Sequence, residues 1–326
     1  MPRFGSAVIA QVEDLAACVR LAQRVESAGL DFATVIDHPY NPAMGESWTM
    51  MTAYAMATSK IRLRTTVMCT PLRQAAVLAR GASTLELLTS GRVDLGLGAG
   101  GVWEGITSVG YPQLSPADAV QQLTELITVM RALWQDDNHP KEAMVGHYEG
   151  GVRTMREQAP EAGWGEPVTI EGKFHSLSAA YCGPRPTHPI PIYIGGNGPR
   201  MMRLTGRLAD GVALSHGRKD AAGYRRAHQL IDEAAIAAGR HPRDITRMYQ
   251  VFGTIGEDDA VDLGGRSGFR GTVDQWIDYL MELIVEHGFD EINFYPVNDE
   301  ARMLRYAEEI VPAVRERLAK EGYARA

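Results

Sequence analysis

The chain has 326 residues, with 33 Lys+Arg against 40 Asp+Glu and a formal net charge of −7. That acidic balance argues against a nucleic-acid partner, because phosphate binding needs a basic face. Apolar residues make up 45% and charged residues 22%, enough core to offset chain entropy, so general disorder is excluded. No run of about 18 apolar residues is present, so neither a spanning helix nor a membrane partner is expected. Glu13 and Asp14 fall where a signal peptide would need apolar residues. Cys18, Cys69 and Cys182 are odd in number and far apart, which suits a reducing cytoplasm better than disulfides or zinc.

Strand and helix patterns alternate along the chain. Residues 4–10 read as a strand and 14–27 as a helix closed by Gly29. A second strand, 32–36, runs into Asp37-His38-Pro39, and a Met-rich helix spans 47–58. A long β-branched strand is expected over 61–70, a helix over 75–88, and a fourth strand over 93–97. Ser115 and Pro116 open a helix that reaches Trp134. Regularity then breaks from Asp136 to Gly172, which reads as an insertion rather than a domain with its own core. The pattern resumes with strands at 190–195, 211–215, 246–255 and 291–297. Their helices lie at 199–208, 221–238, 273–286 and 302–318, and Thr272 and Gln275 form a capping box. Eight strands, each followed by a helix, point to one α/β domain over 1–326, a (β/α)8 TIM barrel with an insertion between strands four and five. An open doubly wound sheet is the rival.

A barrel places its chemistry at the C-terminal ends of its strands. His38, after strand two, is a candidate proton donor or acceptor, and Asp37 a group to orient it; a plain His-Pro turn is the alternative. After strand four, Gly96, Gly98 and Gly101 match the dinucleotide spacing G-x-G-x-x-G. The next residues, with Gly105, Gly110 and Pro112, make a poor helix, so Gly98, Gly100 and Gly101 read better as backbone that lets a flat ligand approach. Trp103 and Glu104 either line that mouth or lie on an exposed loop. After strand five, Gly195, Gly196, Asn197 and Gly198 precede Pro199 and a helix start, a candidate phosphate cradle with Arg200 and Arg203 nearby. A tight turn without a ligand is the other reading. The nine histidines offer no evident metal set.

Five segments together resemble the bacterial luciferase-like superfamily of flavin- and deazaflavin-dependent oxidoreductases. They are Gly29-Leu30-Asp31-Phe32 with Asp37-His38; Thr65-Thr66-Val67-Met68 with Pro71-Leu72-Arg73; residues 91–100; residues 192–199; and Leu208-Ala209-Asp210-Gly211. The resemblance implies a TIM barrel that holds an isoalloxazine-type ring at its mouth. It implies catalysis through His38, with Asp37, and a cis peptide at Thr66-Val67 behind the ring. It places the cofactor along Gly98, Gly100 and Gly101, with its phosphate at Gly195 to Gly198. A sugar-phosphate dehydrogenase branch carries a catalytic Glu soon after strand four; here Gly101 occupies that place and Glu104 is the nearby carboxylate. Coenzyme F420, moving hydride to or from a small organic substrate, is the expected cofactor. FMN is the alternative, in a monooxygenase fed by a flavin reductase. A non-catalytic flavin-binding protein is a further reading. The resemblance also implies a homodimer.

Overall fold

The computed structural model describes residues 1–135, 167–215, 221–256, 268–296 and 299–323. Eight parallel strands form a closed barrel: β1 Arg3–Ala7, β2 Phe32–Val35, β3 Arg62–Thr65, β4 Val93–Gly98, β5 Ile192–Gly195, β6 Gly211–Ser215, β7 Thr246–Ile255 and β8 Glu291–Tyr295. Neighbours follow chain order from β1 to β8, and β8 pairs with β1, register Arg3 to Glu291 through Ser6 to Phe294, to close the ring. All eight are the strands expected from the apolar runs.

Two compact units are distinguished: residues 1–68, 94–97 and 191–326, and residues 69–93 with 98–190. The first contains most of the barrel. Its helix Leu15–Ser27 starts at Asp14, whose carboxylate accepts from the Ala17 amide at 2.7 Å. It ends where Gly29, at φ +77°, turns the chain in the left-handed region and Leu30 N bonds back to Val25 O. The helix Val273–Met281 carries the expected capping box of Thr272 and Gln275. In the second unit, Ser115 caps the helix Pro116–Trp134. On that helix Glu125, 2% exposed, accepts from the amides of Lys173 (3.2 Å), Phe174 (2.7 Å) and His175 (3.0 Å). Those amides belong to the turn of a small antiparallel hairpin, Val168–Ile170 with Leu177–Ala180.

The structure departs from the sequence reading in three places. The long strand expected over 61–70 is cut: β3 stops at Thr65, Thr66-Val67 is a cis peptide, and only Met68–Cys69 resumes extended pairing before a turn at Thr70–Leu72. A short helix, Trp103–Ser108, forms where the glycines argued against one; Ile106 is fully buried and anchors it, and Gly110 at φ +96° follows its end. The hairpin strands and a further edge strand, Phe269–Gly271 beside β7, were not anticipated, being three or four residues long. Of the expected insertion, 136–166 lies outside the described residues.

The lower interior of the barrel is charged. Side chains alternate inward along each strand, which brings Arg64 of β3 against Asp94 of β4 and Glu291 of β8. Arg64 Nη2 meets Asp94 Oδ2 at 2.7 Å and its Nη1 meets Glu291 Oε2 at 2.5 Å; all three are shut off from water. The guanidinium stacks 3.6 Å above the Tyr193 ring of β5. Arg62 also binds Asp94, and Arg3 of β1 binds Glu291. Burial works against the charge on Arg64, but Glu291, Tyr193 and Asp94 outweigh it and hold the guanidinium well above its usual pKa. Burial likewise opposes ionisation of Asp94, yet Arg64 and Arg62 keep its pKa low.

Two outcomes follow. Arg64→Leu removes the cation shared by two buried carboxylates, leaves each with one arginine, and is expected to cost about 3–5 kcal/mol in a urea titration. His228 is also strained electrically: burial, then Arg247 and His287, push its pKa down to about 3. The unfolded chain therefore binds this proton first on acidification, near pH 6.5. Stability is present above that pH and falls from there toward pH 3, with a slope of at most about 1.4 kcal/mol per pH unit for one group. In urea titrations across this range, His228→Phe is expected to flatten that part of the profile.

Candidate active site

His38 sits on the loop that leaves β2. The loop turns at once: Asn41 N bonds to His38 O at 2.9 Å, and Ala43 N bonds to the Asn41 side chain at 3.0 Å. It then lies against the segment after β1, where Val12 N bonds to Ala43 O at 3.2 Å, Gly45 N bonds to Ala10 O at 2.7 Å, and Gln11 and Met44 form an isolated antiparallel bridge. The histidine is therefore carried on backbone tied down at two points beyond its own strand.

Asp37 is 3% exposed, and its Oδ1 accepts from Ser47 Oγ at 2.7 Å. Ser47 opens the helix Ser47–Ala57, so this bond joins the strand end to the helix start. His38 Nδ1 lies 2.7 Å from Tyr40 OH, with the rings 5.5 Å apart and tilted by 57°. The sequence reading gave Asp37 the orienting role, and this bond adds Tyr40, two residues on, as a ring partner. A dipeptide spacing carries no such information; only the turn brings the hydroxyl back.

Thr66 and Val67 follow β3, and the cis peptide between them stands where the resemblance placed it. Val67 is seated between two glycines. A Cβ on Gly195 would come within 2.6 Å of Val67 Cγ1, and one on Gly96 within 3.2 Å of it and 2.0 Å of Thr65 O. Thr65 Oγ1 closes the seam by donating to Gly96 O at 2.7 Å. Below, Val67 packs on Phe32, Tyr193, Ala213 and Met248. Beside it Thr66 Oγ1 lies 2.9 Å from Tyr295 OH, which also bonds Gln250. Neither Tyr295 nor Gln250 carried a signal in the sequence, since both read as ordinary members of apolar strands.

After β5, Gly196 adopts φ +150°, and Gly198 precedes the helix Pro199–Leu208 with no side-chain cap. A Cβ on Gly198 would meet nothing within 4 Å. Asn197 is half-buried, and Arg200 and Arg203 are exposed. The arrangement leaves the first amides of a ten-residue helix open to an anion.

In the second unit, Gly98 O accepts from Thr70 Oγ1 at 2.9 Å. Thr70 in turn bonds Gln122, fully buried, whose Nε2 meets His175 Nε2 at 2.9 Å. Burial lowers the pKa of His175, against a smaller opposing pull from Glu125. Gly100 lies at φ +94°, and Gly101 is exposed with open space beside it. Glu104 is exposed in the first turn of the helix Trp103–Ser108.

The family described as luciferase-like monooxygenase matches residues 1–264. An F420-dependent glucose-6-phosphate dehydrogenase of Mycolicibacterium fortuitum is 30% identical over 241 residues, which cover 72% of this chain and 63% of the relative. The chain thus spans less than two thirds of that relative's length. A protein of the same name from Beutenbergia cavernae is 28% identical over 338 residues, 90% of this chain and 91% of the relative. An F420-dependent secondary alcohol dehydrogenase, solved in complex with an F420-acetone adduct, superposes with a TM-score of 0.77 over 96% of this chain and 99% of that one. At 20% identity that likeness is one of fold.

Proposed function

This chain belongs to the luciferase-like monooxygenase family, and we propose that it uses coenzyme F420 to transfer hydride to or from a small organic substrate. The observation that carries the reading is the pairing of His38 with Tyr40 on the loop after β2, beside the buried Asp37. Curated relatives named as F420-dependent dehydrogenases support the choice of cofactor.

The residues fit such a group. Val67, held between Gly96 and Gly195, offers an apolar surface to a flat ring. Within the second unit, Gly98, Gly100 and Gly101 are a stretch of backbone with few side chains, as a cofactor-binding segment requires. Gly195 to Gly198 and the uncapped helix start would hold the phosphate. When bound, the deazaflavin supplies the hydride acceptor or donor. The protein then has to manage one proton, and His38 is suited to either direction. With Nδ1–H donating to Tyr40, Nε2 accepts the proton of a substrate hydroxyl. In the other direction the imidazolium, its Nδ1–H still donating to Tyr40, gives the Nε2 proton to a carbonyl oxygen. Tyr40 accepts from Nδ1–H in both directions, so one ring orientation serves the whole cycle.

The substrate class is narrower on one side. The sugar-phosphate branch uses a carboxylate where this chain has Gly101. Glu104, exposed three residues on, is the acidic group that would take that role for a hydroxyl-bearing substrate. We read the partner as a small molecule, with a flavin reductase needed only if FMN replaces F420.

A fluorescence titration with F420 and with FMN, each oxidised and reduced, tests the reading. Tight binding of F420 is expected; binding of reduced FMN in its place would turn the assignment to an oxygen-using monooxygenase. In the F420 assay, His38→Ala is expected to lower turnover by about 10²–10⁴-fold while F420 affinity is nearly kept. Undiminished turnover would remove His38 from the reaction. Gly196→Ala introduces a Cβ at a positive φ, and Gly196→Asp adds a charge as well. Both are expected to weaken F420 binding, the aspartate by about tenfold more than the alanine; equal losses would show backbone strain alone and dispose of the phosphate cradle.

A further inference from the structure

Three side chains at the upper end of the barrel form a hydrogen-bonded row: Thr66 after β3, Tyr295 at the end of β8 and Gln250 on β7. Their exposures are 6%, 1% and 6%. Thr66 Oγ1 lies 2.9 Å from Tyr295 OH, and Tyr295 OH lies 2.5 Å from Gln250 Oε1. Strands β3 and β8 are not neighbours; β1 and β2 lie between them. The phenol therefore reaches across the barrel interior to Thr66. It is held in that pose by Phe252, whose ring stacks on it at 4.3 Å and 26°.

The row has a direction. An amide oxygen only accepts, so the one hydroxyl hydrogen of Tyr295 goes to Gln250. Thr66 must then spend its own hydroxyl hydrogen on Tyr295. What Thr66 has left is lone pairs. Among the described residues Tyr295 is the hydrogen-bond partner of Thr66 Oγ1. In a site shielded from water such a fixed dipole discriminates strongly, because a carbonyl placed against it would be repelled and left unpaired.

We propose that Tyr295 and Gln250 are positioning residues that make Thr66 an obligate hydrogen-bond acceptor toward the cofactor, so that it receives an N–H donor of the ring. The proposal rests on the F420 reading above. It assigns a function to two residues on β7 and β8 that lie outside every motif in the sequence, and it makes the acceptor state of Thr66 a property of the barrel rather than of the threonine alone.

The test is a double-substitution cycle read by F420 binding and by the visible absorption band of the bound ring, with Tm recorded for each variant. Tyr295→Phe and Thr66→Val are each expected to lower F420 affinity by about tenfold. The double variant is expected to be no weaker than Thr66→Val alone, since Tyr295 acts through Thr66. Gln250→Met leaves the phenol in place and removes only the acceptor that sets the direction; it is expected to lose affinity too, and to move the bound F420 band as Tyr295→Phe does. Losses that add fully in the double variant would overturn the proposal. So would Tyr295→Phe and Gln250→Met proteins that bind F420 with the affinity and spectrum of the unsubstituted chain, whatever their Tm. An unsubstituted chain that fails to bind F420 would overturn the cofactor reading and this inference with it, whereas binding that is indifferent to Tyr295 overturns this inference alone.

Discussion

A guanidinium with no exposed surface, that of Arg64, lies between two carboxylates equally removed from water, Asp94 and Glu291. Desolvating three charges costs several kcal/mol for each ion, and only close contact with full hydrogen bonding returns it. The arrangement meets that condition. Arg64 spends Nε and Nη2 on Asp94 and Nη1 on Glu291, and its flat face rests on Tyr193. Arg62 and Arg3 serve the remaining carboxylate oxygens, so β1, β3, β4, β5 and β8 meet in one network. Such a layer permits one register only. Slipping any of these strands by a residue would turn its charge outward and leave the others unpaired.

The register fixed at the bottom of the barrel sets what appears at the top. Because Arg62 and Arg64 point inward on β3, Thr66 does so as well, two residues further along. The same alternation carries Asp94 to Gly96 and Gly98 on β4, Tyr193 to Gly195 on β5, and Glu291 to Asn293 and Tyr295 on β8. Charges and rings fill the lower interior, and glycines, hydroxyls and amides the upper. The space that Val67 occupies between Gly96 and Gly195 is thus inherited from the ionic layer beneath it.

Much of this was legible from the residues. The eight runs became the eight barrel strands because the positions packed outward against the helices stay apolar, and the polar residues of β3, β4 and β8 fall at alternate, inward positions. Helix starts at Asp14, Ser115 and Thr272 were equally plain, since a cap is a local bond between near neighbours. The cis peptide at Thr66-Val67 entered only through the family resemblance; the side chains by themselves read as one unbroken strand. The bond between Tyr40 and His38, and the row from Thr66 to Gln250, were hidden for a different reason. They join residues by the path of a loop or across the width of the barrel, and no period in a single strand encodes a partner 229 or 45 residues away. The hairpin beside Glu125 escaped notice because its strands are too short to show alternation.

Glu125 has a bearing on how this protein can vary. A single buried carboxylate takes up the amides of three successive residues, 173 to 175, and so moors the hairpin turn to the helix Pro116–Trp134 by its main chain. Main-chain amides are indifferent to side-chain identity. Residues 173 to 175 can therefore take any side chain but that of proline, which has no N–H to give, without releasing the turn. The mooring thus sets the place of the turn without prescribing what the turn displays.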